Sequence, residues 1–203
     1  MSPQIIREQL SRPSPEVAAD LLGWTLTHVT GEGAVTVQLT EVEAYDGGTD
    51  PASHAYRGAT PSNAVMFGRA GRLYVYLSYG LHWCSNVVCG PEGQASAVLL
   101  RAGRVVDGVE LARHRRGDRV LDRALARGPA CLSRALGIVG SDDGADLLSG
   151  EALRLMPATS RMSYSTGPRV GVRRGASRPW RCWVTDDDTV SSYRRSPRAE
   201  PPR

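Results

Sequence analysis

The chain of 203 residues contains no lysine and only one phenylalanine, so all 25 of its basic side chains are arginines. Without lysine there is no side-chain amine that could form a Schiff base with a substrate. No apolar run approaches the roughly 18 residues of a membrane span, and the first residues, MSPQIIREQL, lack the apolar region of a signal peptide. We therefore expect a cytoplasmic protein.

Cysteine is also scarce, and the four residues Cys84, Cys89, Cys131 and Cys182 form no CxxC pair and no ligand spacing with histidine. This spacing predicts neither a zinc site nor a disulfide framework. We expect free thiols in a reducing compartment, with no metal and no organic cofactor.

The charge is unevenly distributed along the chain. Residues 1–100 hold 5 arginines and 9 acidic residues, whereas residues 101–203 hold 20 arginines and 12 acidic residues. Arg113, Arg115, Arg116 and Arg119 fall on the polar side of a helix predicted over residues 106–126. Such a cluster is typical either of a phosphate-binding surface or of a solvated helix face.

Alternating apolar residues predict most of the secondary structure. We expect short strands over residues 34–45, 72–79, 83–88, 95–101, 153–156, 169–172 and 181–184. Helices are predicted to begin at Ser14 and at Gly128 and Pro129. The pattern predicts an α+β fold, a single compact domain over residues 1–189 with a curved, mostly antiparallel sheet and surrounding helices. Residues 190–203 are predicted to form a disordered basic tail.

The strand over residues 34–45 carries two carboxylates in an unusual phase. Val35, Val37 and Leu39 share one face, and the same parity continues through Glu41 and Glu43. Either the strand leaves the core before Glu41 and both acids are solvated, or the acids are buried for a chemical purpose.

Aromatic residues are concentrated between positions 45 and 83, where five of the seven tyrosines occur beside two histidines and a tryptophan. Tyr74 and Tyr76 share one strand face, so one can pack beneath while the other lines a cavity. Aromatic rings with polar tips suit a pocket for a planar, electron-poor ring. Ordinary strand aromatics are the alternative.

Six spaced motifs agree in order with one known family. They are TEVEAY at 40–45, DPASHAYRG at 50–58, TPSNAVMFG at 60–68, LYVYLSYG at 73–80, CSNVV at 84–88 and AVLLRA at 97–102. GPACLSRALGI at 128–138, PRVGV at 168–172 and PWR at 179–181 extend the match. The chain resembles the alkyladenine (3-methyladenine) DNA glycosylase family. This resemblance implies the compact single-domain fold of that family.

The resemblance also implies roles for individual residues. Glu43 would be the general base that activates a water, and Arg101 and the backbone carbonyl of Val170 would help to hold that water. Tyr45 and His54 would form one wall of the base pocket, with Tyr76 stacked opposite. Asn86 would exclude the exocyclic amine of normal guanine.

The same resemblance implies how the protein would meet DNA. Tyr79 would enter the minor groove as a wedge, and Leu81 and His82 would brace the kinked duplex. Thr60 and Asn63 match positions that contact the DNA backbone. Ser62 stands where an arginine is usual in the family, so one phosphate contact is in doubt, and Cys182 replaces a common core phenylalanine.

These implications add up to a monofunctional DNA glycosylase. It would flip alkylated or deaminated purines such as 3-methyladenine out of duplex DNA and hydrolyse the glycosidic bond, which starts base excision repair. Because the chain has no lysine, we expect no strand-nicking lyase activity. The expected partner is double-stranded DNA with damaged purines, and the expected state is a nucleoid-associated monomer.

Two other functions stay open at this point. A catalytically inactive module could use the aromatic residues and the basic half to hold distorted DNA, and Glu43 would then be dispensable. A carbohydrate hydrolase normally needs two acids flanking the scissile bond, and Glu41 is the one acid beside Glu43.

Overall fold

An antiparallel sheet of nine strands organises the chain in the computed structural model, which describes residues 2–201. The strands are β1 Thr25–Thr30, β2 Gly33–Tyr45, β3 Leu73–Ser78, β4 His82–Val88, β5 Ala97–Asp107, β6 Ala126–Arg127, β7 Leu153–Met156, β8 Tyr164–Gly167 and β9 Arg181–Val184. The α-helices are α1 Pro3–Leu10, α2 Ser14–Asp20, α3 Val109–Arg116 and α4 Pro129–Leu136.

Strand β2 is the centre of this sheet. The main path of the sheet runs β3, β4, β5, β2, β1, β7, and the sheet does not close on itself. One edge of β2 pairs with β5 over most of its length. The other edge pairs first with β1 up to Gln38 and then with β9 from Glu41 to Glu43. The last part of β2 is therefore enclosed by strands on both edges.

A bulge in β2 changes which side chains face the core. The pairing with β5 is irregular on both sides of Glu41, and Thr40 and Arg101 have no partner in the register. An extra residue in one strand reverses the inside and outside alternation beyond it. Before the bulge, the core side chains are those of Val35, Val37 and Leu39; beyond it, they are those of Val42 and Ala44. Glu41, Glu43 and Tyr45 therefore point away from the main core.

The helices cover the sheet with their apolar sides. Ile6 and Leu10 of α1, Val17 of α2 and Leu132 of α4 belong to one core cluster with the sheet residues. A second, smaller cluster contains Met66, Tyr74 and Val88 under the loop that follows β2. Helices around an unclosed antiparallel sheet confirm the predicted α+β class and the single compact domain. Within residues 2–201, no helix is both long and apolar enough to cross a membrane.

Most predicted elements are present, and the differences have physical causes. The helix predicted over 106–126 is wrong, because β5 continues to Asp107 and α3 ends at Arg116, where Gly117 adopts a positive φ of 116°. The strand predicted over 169–172 is absent from the described residues, and β9 pairs with β8 instead. Strand β1 and helix α1 were not predicted.

The four cysteines are free thiols, as predicted. Cys182 is buried in the main core, which confirms the expected core position. The segment from residue 190 to 201 contains neither helix nor strand. Ser191 and Arg194 nevertheless make hydrogen bonds to the domain. Disorder of the tail as a whole stays a prediction.

Candidate active site

Glu43 is fully buried near the end of β2 and is held by three donors. The N–H of Val170 donates to Oε1 at 2.7 Å, and the hydroxyl of Tyr45 donates to Oε2 at 2.9 Å. The guanidinium of Arg101 lies 3.4 Å from Oε2. The contact from Val170 is made by its N–H; the predicted role of its carbonyl in holding a water stays a prediction. The alternative that the acids are solvated is wrong.

Burial raises the pKa of Glu43 above its ordinary value, because charge is costly away from water. Arg101, the Val170 N–H and the Tyr45 hydroxyl favour the charged form, but they offset only part of that cost. A carboxylate in this state holds a proton more tightly than an exposed one. It is therefore a stronger base, provided that the pH is high enough to ionise it.

Glu41 is equally buried but is paired on every side. Its carboxylate accepts hydrogen bonds from Arg101 at 2.9 Å, from Arg181 at 2.6 Å and from the backbone N–H of Ser191 at 2.7 Å. Burial by itself would raise the pKa of Glu41, but the two arginines and Ser191 lower it below its ordinary value. Glu41 thus stays ionised and occupied by partners, which disfavours a role as a second catalytic acid.

A cavity of about 720 Å³ opens directly in front of Glu43. Tyr45 and Val170, the two residues that hold Glu43, both belong to its wall. A smaller cavity of about 80 Å³ beside it is lined by Tyr45, His54, Tyr76 and Asn86 among others. The structure therefore brings the predicted catalytic residues and the predicted base-pocket residues to one place, with Glu43 just behind the wall.

The aromatic residues of the pocket contact one another. Tyr76 stacks on Tyr74 at 5.7 Å between ring centroids, and Tyr74 is buried beneath it, as predicted for this pair. His54 meets Tyr76 edge to face at 4.5 Å and bonds the Tyr74 hydroxyl through Nδ1 at 3.1 Å. A ring stacked between His54 and Tyr76 needs about 7 Å, twice a van der Waals contact. The predicted slot between these two residues is therefore closed in this structure.

The pocket side chains are held in their neutral forms. Burial lowers the pKa of His54 and raises the pKa of Tyr74 to about 12. Burial likewise raises the pKa of Tyr45 and of Tyr76. At neutral pH these rings carry no charge, so their electron-rich faces are available to a cationic ring.

The turn between β3 and β4 presents large apolar side chains to solvent. Tyr79 is 96% exposed and Leu81 is 74% exposed, and His82 is exposed beside them. Tyr79 and Gly80 both have positive φ, and the Leu81 N–H donates to the Ser78 carbonyl at 3.0 Å. Glycine or asparagine normally occupies such a turn, so tyrosine at position 79 strains the backbone. Strain and exposure together make the Tyr79 side chain a candidate for a binding function.

A buried ion pair that the sequence analysis did not identify supports the site from behind. Asp50 and Arg169 are both fully buried and form a two-point contact, with Nη2 to Oδ1 at 2.8 Å. Arg169 also donates to the Ala44 carbonyl and lies 4.6 Å from the centre of the Tyr45 ring. It therefore fixes both the ring of Tyr45 and the position of the next residue, Val170. The signal available in the sequence was Asp50 at the start of the DPASHAYRG motif.

The segment around residues 60–63 holds the loop together. Asn63 is buried, accepts from the Thr60 N–H at 2.7 Å and donates to the carbonyls of His54 and Gly58, both at 3.1 Å. These contacts use both amide N–H groups and one acceptor position of Oδ1, so they support a loop-holding role for Asn63; the predicted contacts of Thr60 and Asn63 with the DNA backbone stay predictions. Thr60 is exposed and hydrogen-bonds to Ser62.

The three arginines of α3 are bound to other groups of the domain, which favours a helix face without a phosphate-binding role over the phosphate-binding surface. Arg113 bonds Asp122 at 2.7 Å, Arg115 bonds Glu32 at 2.9 Å, and Arg116 bonds the Leu125 carbonyl at 2.8 Å. Helix α3 begins next to Ala34, nine residues and about 30 Å along β2 from Glu43. The arginines that line the pocket are Arg57, Arg173 and Arg174.

Comparison with known proteins agrees with this geometry. The family described as Methylpurine-DNA glycosylase matches residues 8–188. A protein of Leifsonia xyli subsp. xyli named "Putative 3-methyladenine DNA glycosylase" is 51% identical over 94% of this chain and 93% of its own length. Relatives with the same name from Streptomyces avermitilis and Nocardia farcinica are 50% and 51% identical, covering 94% and 95% of the chain and 92% of their own lengths. The chain therefore belongs to the methylpurine-DNA glycosylase family.

Proposed function

We propose that this chain is a monofunctional DNA glycosylase that flips a damaged purine out of the duplex and hydrolyses its glycosidic bond with a water activated by Glu43. The observation that carries the proposal is a buried carboxylate of raised pKa, held against the wall of an aromatic cavity by Tyr45, Val170 and Arg101. The family supplies the substrate class, which is DNA with methylated purines.

The carboxylate of Glu43 has about four acceptor positions, of which the Tyr45 hydroxyl and the Val170 N–H occupy two, while Arg101 makes an ion pair with Oε2 at 3.4 Å. A remaining position can accept a hydrogen bond from a water and take its proton as the water attacks the anomeric carbon. The negative charge also favours the oxocarbenium-like charge that develops on the sugar as the bond breaks. Because the space between His54 and Tyr76 is closed in this structure, we propose that the entering base displaces His54.

Damaged purines would be selected partly by charge. A purine alkylated at N3 or N7 is cationic and gains about 0.5–2 kcal/mol over the faces of Tyr45 and Tyr76, an attraction that a neutral base does not offer. Neutral His54 adds no repulsion. Asn86 is buried with its amide bound to the Tyr74 carbonyl at 3.1 Å, which fixes it at the small cavity, where it would meet the edge of the base.

The surface around the pocket fits duplex DNA. Tyr79 and Leu81 project from the hairpin beside the cavity and would fill the space that an extruded nucleotide vacates. Arg57, Arg173 and Arg174 surround the same opening and would meet the phosphates on either side. Because its proposed substrate is the DNA of the cell, we expect the protein in the cytoplasm, with the nucleoid.

The decisive experiment compares the wild-type chain with Glu43→Gln in single-turnover base release. Duplexes would carry 3-methyladenine, 7-methylguanine, hypoxanthine or an etheno-adduct, so that the same assay ranks the substrates. We expect Glu43→Gln to bind the lesion duplex as well as the wild type does and to release base about 10²–10⁴ times more slowly, the range for loss of a general base.

Two controls complete this test. Treatment with borohydride should trap no covalent adduct with DNA, because the chain has no lysine. Unchanged base release by Glu43→Gln would remove the mechanism. Binding to lesion duplexes without release by the wild type would instead favour the inactive DNA-binding module.

A further inference from the structure

The residues that follow the family match pass directly behind the active site. We define residues 189–200 as the C-terminal strap. The family match ends at residue 188, and the strap carries no helix or strand. It is nevertheless anchored at its start, where the buried hydroxyls of Thr189 and Thr40 lie 2.7 Å apart and the Val190 carbonyl accepts from Arg127 at 2.8 Å. Thr40 is the bulge residue of β2, so the strap begins at the irregularity that turns Glu41 and Glu43 away from the core.

Ser191 then completes the surroundings of Glu41. Its N–H donates to Oε2 of Glu41 at 2.7 Å, and its hydroxyl donates to Oε1 at 3.0 Å. The same hydroxyl accepts from Arg101 at 3.3 Å, and the Ser191 carbonyl accepts from Arg181 at 2.8 Å. Arg101 is thereby held by Glu41 and Ser191 together, and its remaining nitrogen is the one that reaches Glu43.

Further along, the strap holds the segment that supplies the second contact to Glu43. The Arg194 carbonyl accepts from the Gly171 N–H at 2.9 Å, and the Glu200 N–H donates to the Arg173 carbonyl at 2.9 Å. Gly171 directly follows Val170, whose N–H donates to Glu43. Two of the three donors that hold Glu43 are therefore supported by the same stretch of chain.

We propose that the C-terminal strap, with Ser191 as its positioning residue, holds Arg101 and the Val170 N–H against Glu43. The strap thereby sets the protonation state of the catalytic carboxylate. The inference rests on the proposed function. Its physical basis is that Arg101 and the Val170 N–H favour the ionised form of Glu43, so loosening either lets Glu43 keep its proton to a higher pH. The titratable and charged groups around Glu43 are Glu41, Tyr45, Tyr76, Arg101, Arg169 and Arg181.

The test uses two neighbouring serines of the full-length protein. Ser191→Pro removes both the N–H and the hydroxyl that bind Glu41, whereas Ser192→Ala, at an exposed position with no hydrogen bond in the described part of the chain, is the control. Single-turnover release of 7-methylguanine would be measured across pH at saturating enzyme, together with the Kd for the lesion duplex.

We expect Ser191→Pro to slow release at least tenfold at neutral pH, because it loses two hydrogen bonds to the Glu41 carboxylate and one from Arg101. The acid limb of the pH–rate profile of this variant should move to higher pH. Its Kd for the lesion duplex should stay within about twofold of the wild type, because Ser191 does not line the cavity. Ser192→Ala should change neither quantity.

Ser191→Ala keeps the N–H and removes the hydroxyl, so it should fold even where proline does not, and it should show a smaller shift in the same direction. An unmoved acid limb in both Ser191 variants, with an active wild type, would overturn the inference while leaving the proposed function intact. A wild type that releases no base from any lesion duplex would overturn the proposed function instead.

Discussion

Glu41 and Glu43 lie two residues apart on β2, both fully buried, yet they have opposite surroundings. Glu41 is bound by two arginines and by Ser191, and these partners lower its pKa. Glu43 has one arginine at longer range and faces the wall of the cavity, and burial raises its pKa. The first carboxylate is a structural ion, whereas the second retains a proton affinity that a catalytic base can use.

The same contrast separates two groups of arginines. Those of α3 bond to Asp122, Glu32 and a backbone carbonyl, far from the cavity. Arg57 and Arg173 line the cavity, and neither makes a side-chain hydrogen bond or ion pair within residues 2–201. Together with the strained turn at Tyr79, these features place uncompensated charge and backbone strain at the pocket, and paired charge elsewhere. Such a concentration is what a binding and reaction site requires.

The largest expected effect is on the free energy of unfolding, which should respond differently to changes at Glu41 and at Glu43. Glu41→Gln should lower the free energy of unfolding by about 3–5 kcal/mol, because it leaves Arg181 buried without a carboxylate partner and Arg101 with only its longer contact to Glu43. Glu43→Gln should be at least as stable as the wild type at pH 7, because it removes a costly buried charge. Urea unfolding at pH 7 measures both, and equal losses in the two variants would contradict the comparison.

The two carboxylates should titrate on opposite sides of the ordinary pKa of 4.5. The lowered pKa of Glu41 gives stability that is present above its unfolded pKa and is lost as pH falls through its folded value. The raised pKa of Glu43 means that base release falls as the pH decreases through a value above the ordinary 4.5. Single-turnover release of 7-methylguanine, which is a fixed cation, reports the enzyme's own titration. An acid limb at or below 4.5 would contradict the assignment.

A substitution that relieves the backbone strain at Tyr79 should raise stability and lower activity. Tyr79→Asn should raise the free energy of unfolding by about 1 kcal/mol, because asparagine tolerates positive φ and the 96% exposed ring loses no burial. Base release from duplex should fall more than release from single strands. Leu81→Asn is the control for stability, since Leu81 does not have positive φ. Equal losses on both substrates would argue against the wedge.

The smallest expected effect distinguishes the two groups of arginines. Neutralising Arg173 and Arg174 should reduce the salt dependence of DNA binding by about 0.9 in the log–log slope for each phosphate that the protein no longer neutralises. Neutralising Arg113 and Arg115 should leave the slope unchanged, because both side chains are bound within the domain. A slope that responds only to the α3 pair would move the DNA-binding surface to α3.

Local pattern was sufficient for much of the fold. The hairpin of β3 and β4 followed from LYVYLSYG and CSNVV, and the helix after Pro129 followed from its start signals. Strand β1 was not predicted because its apolar residues are few and its stability depends on pairing with β2 and β7. Helix α1 was not predicted because it depends on the packing of Ile6 and Leu10 in the main core. The helix over 106–126 was overextended because arginine-rich turns retain helical composition after the helix has ended.

Sequence by itself determined the family, the absence of a lysine nucleophile and the chemical types that the site contains, since motif order and composition do not depend on folding. The tertiary structure alone decided what Glu41 and Glu43 are. One bulge at Thr40 reverses the alternation of β2, and partners from β5, β9 and the C-terminal strap then neutralise the first acid more fully than the second. The local sequence pattern does not predict partners that are so distant in the chain, because pairing across a sheet depends on register and not on neighbouring residues.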